Sequence, residues 1–393
     1  MKNFIKTLLI IFIINTIAAA PVLAEGKPSV EAQGAILMDF ETGRVLWEKN
    51  SKAPMAMAST TKIMTSILAL ELGDVSDIVT VSRRAEIAPR VKMYLQQGEE
   101  ISLEGLLLAL MLQSSNDAAV AIAEHIGGSV EEFCAMMTKK ALELGCEDTV
   151  FETPNGLDAG DHHSTAYDMA LITRYALNNA DFVRLISNYQ ATTTSSRTTY
   201  HISNRNRLLR EFNGATGVKT GYTGKAGHCF VGSAEREQMQ LISVVFASGW
   251  GERGKEQKWT DTKEILNYGF ANYAPFIIIN ENEIGGTLNV ERTKTPSIPL
   301  YYSEGITLPL NEAERACIDI EAYYPALIRA PIAADTVIGS ARIYIGGEFA
   351  AEVELLTQTG AERHDLKTSL EKVIREFLKA GTTQELTIIL PEF

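Results

Sequence analysis

Cysteine is scarce in this chain: four residues in 393, at positions 134, 146, 229 and 317, with no CxxC pair. That excludes a scaffold held together by disulfides. Basic residues are in deficit, with 36 Lys+Arg against 49 Asp+Glu and a net charge of -13. Nucleic-acid binding draws its affinity from basic contacts to phosphate, so that partner class is excluded. The composition, 46% hydrophobic and 22% charged, lacks the apolar excess of a multi-span membrane protein and the bias of a disordered or collagenous one. Internal repeats, low-complexity stretches, an HExxH metal motif and a GxSxG elbow are all missing. What remains is a globular chain long enough for two or three domains.

The N-terminus reads as a secretory signal. Lys2 and Lys6 precede an apolar run from Leu8 to Ile14, and Val22-Leu23-Ala24 carries small residues where a signal peptidase needs them. Cleavage is expected after Ala24, with residues 1–24 removed. A retained anchor helix fits less well, because Asn15 and Pro21 interrupt a segment already short for a span. With no cysteine after the apolar run, a lipoprotein signal is not expected. The protein is therefore exported and extracytoplasmic, where disulfides are permitted. A Cys134–Cys146 bridge stays open, although buried free thiols are the favoured reading.

Ala35–Phe40 and Val45–Trp47 flank Glu41-Thr42-Gly43-Arg44 as a β-hairpin. Apolar residues at helical spacing predict helices over Ser59–Leu72, Leu103–Leu112, Asp117–Ile126 and from Ser129 to Gly145. Ser129 and Glu132 match a capping box, and Thr165 with Asp168 opens a further helix through Ala176. Strands follow over Ala191–Ile202, Val218–Tyr222, Cys229–Ala234 and Leu241–Ala247, then a helix from about Thr260 to Asn272. Residues 28–275 thus read as one unit of mixed helix and sheet. Residues 276–360 show short alternating runs separated by turn residues, the pattern of a small all-β domain. In residues 361–393, Leu366, Leu370, Val373, Ile374, Phe377 and Leu378 fall on one helical face.

Three short motifs carry chemistry through their order. Ser59-Thr60-Thr61-Lys62 is an S-x-x-K at a helix start, Ser114-Ser115-Asn116 sits between two helices, and Lys219-Thr220-Gly221 begins a strand. Any one alone means little; all three in this order in an exported chain are a strong signal. Ser59 and Lys62 share a helix face, so the lysine can serve as the base a serine hydroxyl needs. It can do so only when neutral, which burial and a neighbouring cation such as Lys219 promote. Ser114 is placed to pass a proton to a leaving group, and Asn116 to orient the substrate. Gly221 lets a strand edge approach a bound peptide, and the amides of Ser59 and Tyr222 can form an oxyanion hole.

At these residues the chain resembles the serine-type D-alanyl-D-alanine carboxypeptidases, the low-molecular-weight penicillin-binding proteins. Ala58–Thr65 is similar to the nucleophile segment of that family and Met111–Ala118 to its second motif, with Ser115 where glycine is common. Val218–Thr223 with Ala226-Gly227 is similar to its third, and Pro154-Asn155-Gly156-Leu157 and Arg329-Ala330-Pro331-Ile332 also fit. The context of Trp250 and Trp259 is most similar to the sporulation-associated branch.

The resemblance implies an α+β fold. A penicillin-binding catalytic domain, an antiparallel sheet flanked by helices with a helical subdomain, precedes a small all-β domain and an amphipathic C-terminal helix. It implies removal of the terminal D-Ala from peptidoglycan pentapeptide stems through a Ser59 acyl-enzyme that β-lactam antibiotics trap. Lys62 and Ser114 are the implied catalytic partners. Asn116, Lys219, Thr220, Gly221 and Tyr222 are the implied substrate contacts, and no metal or organic cofactor is implied. The family often has an arginine near the substrate carboxylate. Counting back from Tyr268-Gly269 lands on Lys258, which keeps the charge without the bidentate fork. Arg253 and Thr220 remain alternatives for that contact.

Two competing readings attach to the same region. A class A β-lactamase would need a glutamate for deacylation, and Glu152, just before Thr153-Pro154-Asn155, invites that role at a spacing that does not fit. Asp158, Asp161, His162 and His163 form the densest cluster of ligand-type residues, against which stands the plainer reading of a polar loop before a capped helix. The tail helix has two readings as well: peripheral contact with a membrane surface, or packing on the β-domain.

Overall fold

A computed structural model describes residues 26–364 and 366–381. The expected signal, residues 1–24, lies outside the described residues. The N-terminal hairpin, Gly34–Asp39 with Val45–Lys49, does not stand alone. It joins three later strands in a five-stranded antiparallel sheet in the order Val45–Lys49, Gly34–Asp39, Met239–Phe246, Gly227–Arg236, Ala215–Thr223.

Successive residues of a strand face opposite sides, and here both sides are buried. Ile36, Met38, Ile242, Val244 and Phe246 pack on one face. Ala35, Leu37, Leu241, Val245 and Phe230 pack on the other. That double burial is why the central strands read as unbroken apolar runs. The first face carries the helices Lys62–Leu72, Asn116–Gly127, Val130–Glu143 and Ala166–Leu177. The second carries the long helix Gly251–Asn272 through Trp259, Ile265 and Leu266.

The helix starts follow their caps. Ser129 accepts from the Glu132 amide at 3.1 Å and Thr165 from the Asp168 amide at 2.9 Å. The long helix departs from expectation, beginning at Gly251 rather than near Thr260. Its first turns, Gly251 to Lys258, hold no apolar period. They are fixed by close packing, since a Cβ on Gly254 would fall 2.3 Å from the Gly249 carbonyl carbon. The Ala191–Ile202 stretch is a separate hairpin, Gln190–Thr194 with Thr199–Ser203.

Past the long helix the chain is mostly strand. A six-stranded sheet runs Ile318–Tyr323, Val337–Ile345, Glu348–Thr357, Ser297–Tyr302, Ile284–Glu291, Leu327–Arg329, the last pair parallel. Ala274–Ile279 and Ile306–Leu310 form a separate pair. Leu288, Ile298, Leu300, Ile343 and Leu355 build the core of this region. Two strands escape the sequence pattern: Leu327–Arg329 is three residues long, and Ile306–Leu310 carries Pro309. The Arg44 side chain, from the turn of the N-terminal hairpin, grips Glu314 with both terminal nitrogens at 2.5 and 3.1 Å. The sheet-and-helix region is thereby tied to the β region.

The tail helix spans Leu366–Gly381. Leu370, Val373, Ile374, Phe377 and Leu378 are all exposed, Phe377 at 78%. Packing of this face on the β-domain is therefore overturned: the helix stands off with its apolar side open. Among the described residues no helix is long and apolar enough to cross a membrane. All four cysteines are free thiols, so the Cys134–Cys146 bridge does not form.

Candidate active site

Ser59 lies in the 3-10 turn Ala58–Thr61 that runs directly into the helix Lys62–Leu72. Ala58 holds a φ of +50°, a left-handed conformation that costs a non-glycine residue about 1–2 kcal/mol. The turn is braced from within. Thr60 Oγ1 donates to the Met57 carbonyl at 2.7 Å, and Thr61 Oγ1 to the Ala58 carbonyl at 2.9 Å.

Lys62 is fully buried one helical turn on. Its Nζ is 2.9 Å from Ser59 Oγ, 2.9 Å from Asn116 Oδ1 and 2.5 Å from the Asn155 carbonyl. Burial first, then the positive charge of Lys219, push the Lys62 pKa well below the usual lysine range; the Asp117 carboxylate pulls the other way, and the Arg205 charge adds a smaller downward push. In the neutral amine the two remaining hydrogens serve Asn116 and Asn155. The lone pair is then left toward the Ser59 hydroxyl, as a general base requires.

The second motif also shapes the cleft wall. Ser114 is buried at the end of a π-helical turn, in a left-handed conformation with φ +70°. The Asn116 side chain donates to Pro89 O at 3.1 Å and its amide to Val91 O at 2.7 Å. The Asp117 carboxylate accepts from the amides of Met93, Tyr94 and Leu95. Together they fasten residues 89–95 beside Ser114. Ser115 is fully buried with its hydroxyl unbonded, and nothing in the structure explains its presence where the family commonly has glycine.

The third motif lies on the free edge of the sheet. Lys219 is buried, and its Nζ donates to the Thr220 carbonyl at 3.1 Å. Burial and then the Arg205 charge lower its pKa to about 7. A Cβ on Gly221 would fall 3.0 Å from Ser59 N and 3.1 Å from Ala58 Cβ, so only glycine brings the strand this near Ser59. His228, opposite Tyr222, spends both its backbone groups on the far side, with its amide on Gly249 O and its carbonyl on Ser248 N. Tyr222 is therefore in a non-hydrogen-bonded pair, and its amide points off the sheet edge.

Ser59, Ser114, Thr220, Gly221, Tyr222 and Lys258 line one cleft of about 520 Å³, together with Val91, Arg205, Arg207, His228, Lys255 and Trp259. Asn116, Lys62 and Lys219 are buried and are not among its lining residues; Lys62 reaches Ser59 from within. Lys258 Nζ lies 3.3 Å from His228 Nδ1 and donates to the Lys255 carbonyl at 3.1 Å. Burial, its dominant influence, lowers its pKa to about 8. Arg253 is not part of the cleft: its side chain is 77% exposed and paired with Glu31.

Arg205 is the cleft residue the sequence did not disclose. It is exposed at the cleft wall, has no side-chain partner among the described residues, and its charge acts on both buried lysines. A single arginine in the polar run Asn204-Arg205-Asn206-Arg207 has no spacing that marks it. The Asp158–His163 cluster is consumed by local bonds. Asp158 accepts from Thr223, His163 Nδ1 lies 2.7 Å from the Asp161 carbonyl, and His162 turns inward to Thr61. Glu152 accepts from the Asp161 amide at 3.0 Å and does not line the cleft.

A serine bonded to a buried lysine at a helix start, facing a glycine-bearing strand edge, defines a serine hydrolase that works through an acyl-enzyme. Comparison with known proteins gives the same class. The D-alanyl-D-alanine carboxypeptidase (peptidase S11) family model matches residues 21–249, and that of the penicillin-binding protein 5 C-terminal domain matches 273–363. D-alanyl-D-alanine carboxypeptidase DacF of Bacillus subtilis is 32% identical over 391 residues, covering 96% of this chain and 100% of that protein. DacC of Escherichia coli is 31% identical over 349 residues, 85% of each. Penicillin-binding protein 5 of Haemophilus influenzae superposes with a TM-score of 0.73 at 28% identity, over 86% of this chain and all of that one. The chain belongs to the D-alanyl-D-alanine carboxypeptidase family.

Proposed function

We propose that this protein removes the terminal D-Ala from peptidoglycan pentapeptide stems, with Ser59 as the acylated residue. The observation that carries the reading is the 2.9 Å contact between Lys62 Nζ and Ser59 Oγ in a cleft edged by Gly221. Ser59 Oγ attacks the penultimate D-Ala carbonyl while neutral Lys62 takes its proton. The Ser59 and Tyr222 amides hold the developing oxyanion. Ser114 relays that proton from Lys62 to the departing nitrogen, free D-Ala leaves, and water then cleaves the Ser59 ester. Asn116 and the Lys219-Thr220-Gly221 edge align the stem, and Lys258 with Arg205 attracts its terminal carboxylate. β-Lactams mimic the stem and stop at the acyl-enzyme.

Such a substrate places the enzyme outside the cytoplasm, in keeping with the expected signal over residues 1–24. The open apolar face of Leu366–Gly381 suits peripheral contact with the outer face of the cytoplasmic membrane, which co-sedimentation with anionic lipid vesicles tests through Phe377→Glu. The function itself is tested by labelling with fluorescent penicillin. One label per chain is expected, and none in Ser59→Ala.

A further inference from the structure

The reaction leaves one buried titratable group near the nucleophile without a task. His162 is 3% exposed, yet it comes from a polar loop and stands behind the catalytic turn rather than in the cleft. Its Nδ1 accepts from the Glu152 backbone amide at 3.0 Å. A backbone amide can only donate, so in the neutral ring the hydrogen is on Nε2. That nitrogen lies 3.0 Å from Thr61 Oγ1, which receives the bond and directs its own hydrogen to the Ala58 carbonyl. The ring is clamped edge-on to Phe151, and the adjacent His163 is tied to Val150 by two backbone bonds of 3.0 and 3.1 Å.

The Ala58 carbonyl is one end of a planar peptide whose other end is the Ser59 N–H. In a trans peptide the two point in opposite directions, so holding the oxygen aims the amide. The oxygen is backed on another side by Gly156, where a Cβ would come within 1.9 Å of it. The peptide follows the left-handed Ala58, a conformation that persists only where its surroundings hold it.

We propose that His162 is a positioning residue: through Thr61 it locks the Ala58–Ser59 peptide so that the Ser59 amide faces the Tyr222 amide across the oxyanion site. The proposal rests on Ser59 being the acylated residue and adds a second tier behind it. His162 touches no substrate and moves no proton. Burial, helped by the charges of His163, Lys225 and Lys62, lowers its pKa to about 4, which keeps the ring neutral and the relay direction fixed at neutral pH.

The test compares Thr61→Val, which keeps shape and loses the hydroxyl, with Thr61→Ser, which restores it. His162→Phe and the Thr61→Val/His162→Phe pair complete the set. Each is followed by stopped-flow acylation with penicillin and by infrared spectroscopy of the acyl-enzyme ester carbonyl. Thr61→Val and His162→Phe are expected to slow acylation about 10- to 100-fold with the pre-acylation binding constant unchanged. The ester carbonyl band should move to higher wavenumber as the amides lose their aim, and Thr61→Ser should return both rate and band. Because the two side chains act in series, the double variant should be no slower than the slower single. Wild-type acylation rates in Thr61→Val, slowed acylation with an unshifted band, or multiplying losses would overturn the proposal while leaving Ser59 labelled. Failure of the wild-type chain to acylate at all would overturn the underlying reading as well.

Discussion

Gly156 stands so close to Ala58 that a methyl group on it would overlap the Ala58 carbonyl oxygen. With a φ of +81° it also occupies a backbone region that other residues enter at a cost. Gly156→Ala is therefore expected to lose about 2 kcal/mol or more of stability and to disturb the nucleophile turn. Thermal unfolding and penicillin labelling at a permissive temperature check it. A variant with wild-type melting temperature and acylation rate would show that the loop yields freely.

The two buried lysines share a third cation, Arg205. Removing it in Arg205→Gln relieves repulsion on Lys62 and Lys219, so both pKa values rise. Since Lys62 acts as base only when neutral, the acid limb of kcat/KM should move to higher pH. The midpoint of the profile is the readout, because the plateau also falls if the substrate carboxylate loses an anchor. A midpoint that moves to lower pH or stays put contradicts the assignment of Lys62 as base.

Lys258, lowered to about 8, carries its charge below that pH and loses it above. KM for a peptide ending in D-Ala-D-Ala should therefore rise above pH 8, up to about tenfold per unit. Lys258→Arg, charged at all working pH values, should flatten that rise. A KM that does not change between pH 7 and 9 in the wild type would remove Lys258 from the carboxylate site.

His162 couples stability to acidity. Its folded pKa of about 4 lies below the ordinary 6.5, so the unfolded chain binds the proton more readily between those values. Stability should be full above pH 6.5 and fall as pH drops toward 4, by roughly 3 kcal/mol. The groups around the ring are His163, Lys225 and Lys62, with the Glu152 carboxylate tied to the Asp161 amide nearby. Denaturant unfolding of wild type and His162→Phe across that range measures the difference, which should shrink toward acid.

The sequence displayed the residues whose roles depend on short spacing. Ser59 and Lys62 are one helical turn apart, Ser114 and Asn116 share a loop, and Lys219 to Tyr222 lie along one strand. The hairpin, the caps at Ser129 and Thr165 and the α+β order were legible because each is written in local periodicity. Arg205 was not legible as a cleft residue, His162 was legible only as part of a ligand-type cluster and Gly156 only as part of a family-like stretch, because the contacts of each are with distant chain. The start of the long helix at Gly251 was hidden for another reason: its first turns are glycine and charge, held by packing rather than by an apolar stripe. The open face of the tail helix was legible as amphipathic, but only the fold shows that the β-domain does not cover it.

Release of D-Ala from pentapeptide stems should depend on Ser59, activated by Lys62. The most direct measurement is mass spectrometry of pentapeptide muropeptides incubated with the purified protein and with Ser59→Ala. Conversion of pentapeptide to tetrapeptide with release of free D-Ala is expected with the wild type and not with the variant. Rapid turnover of nitrocefin with no D-Ala released, or tetrapeptide formation that survives Ser59→Ala, would contradict it.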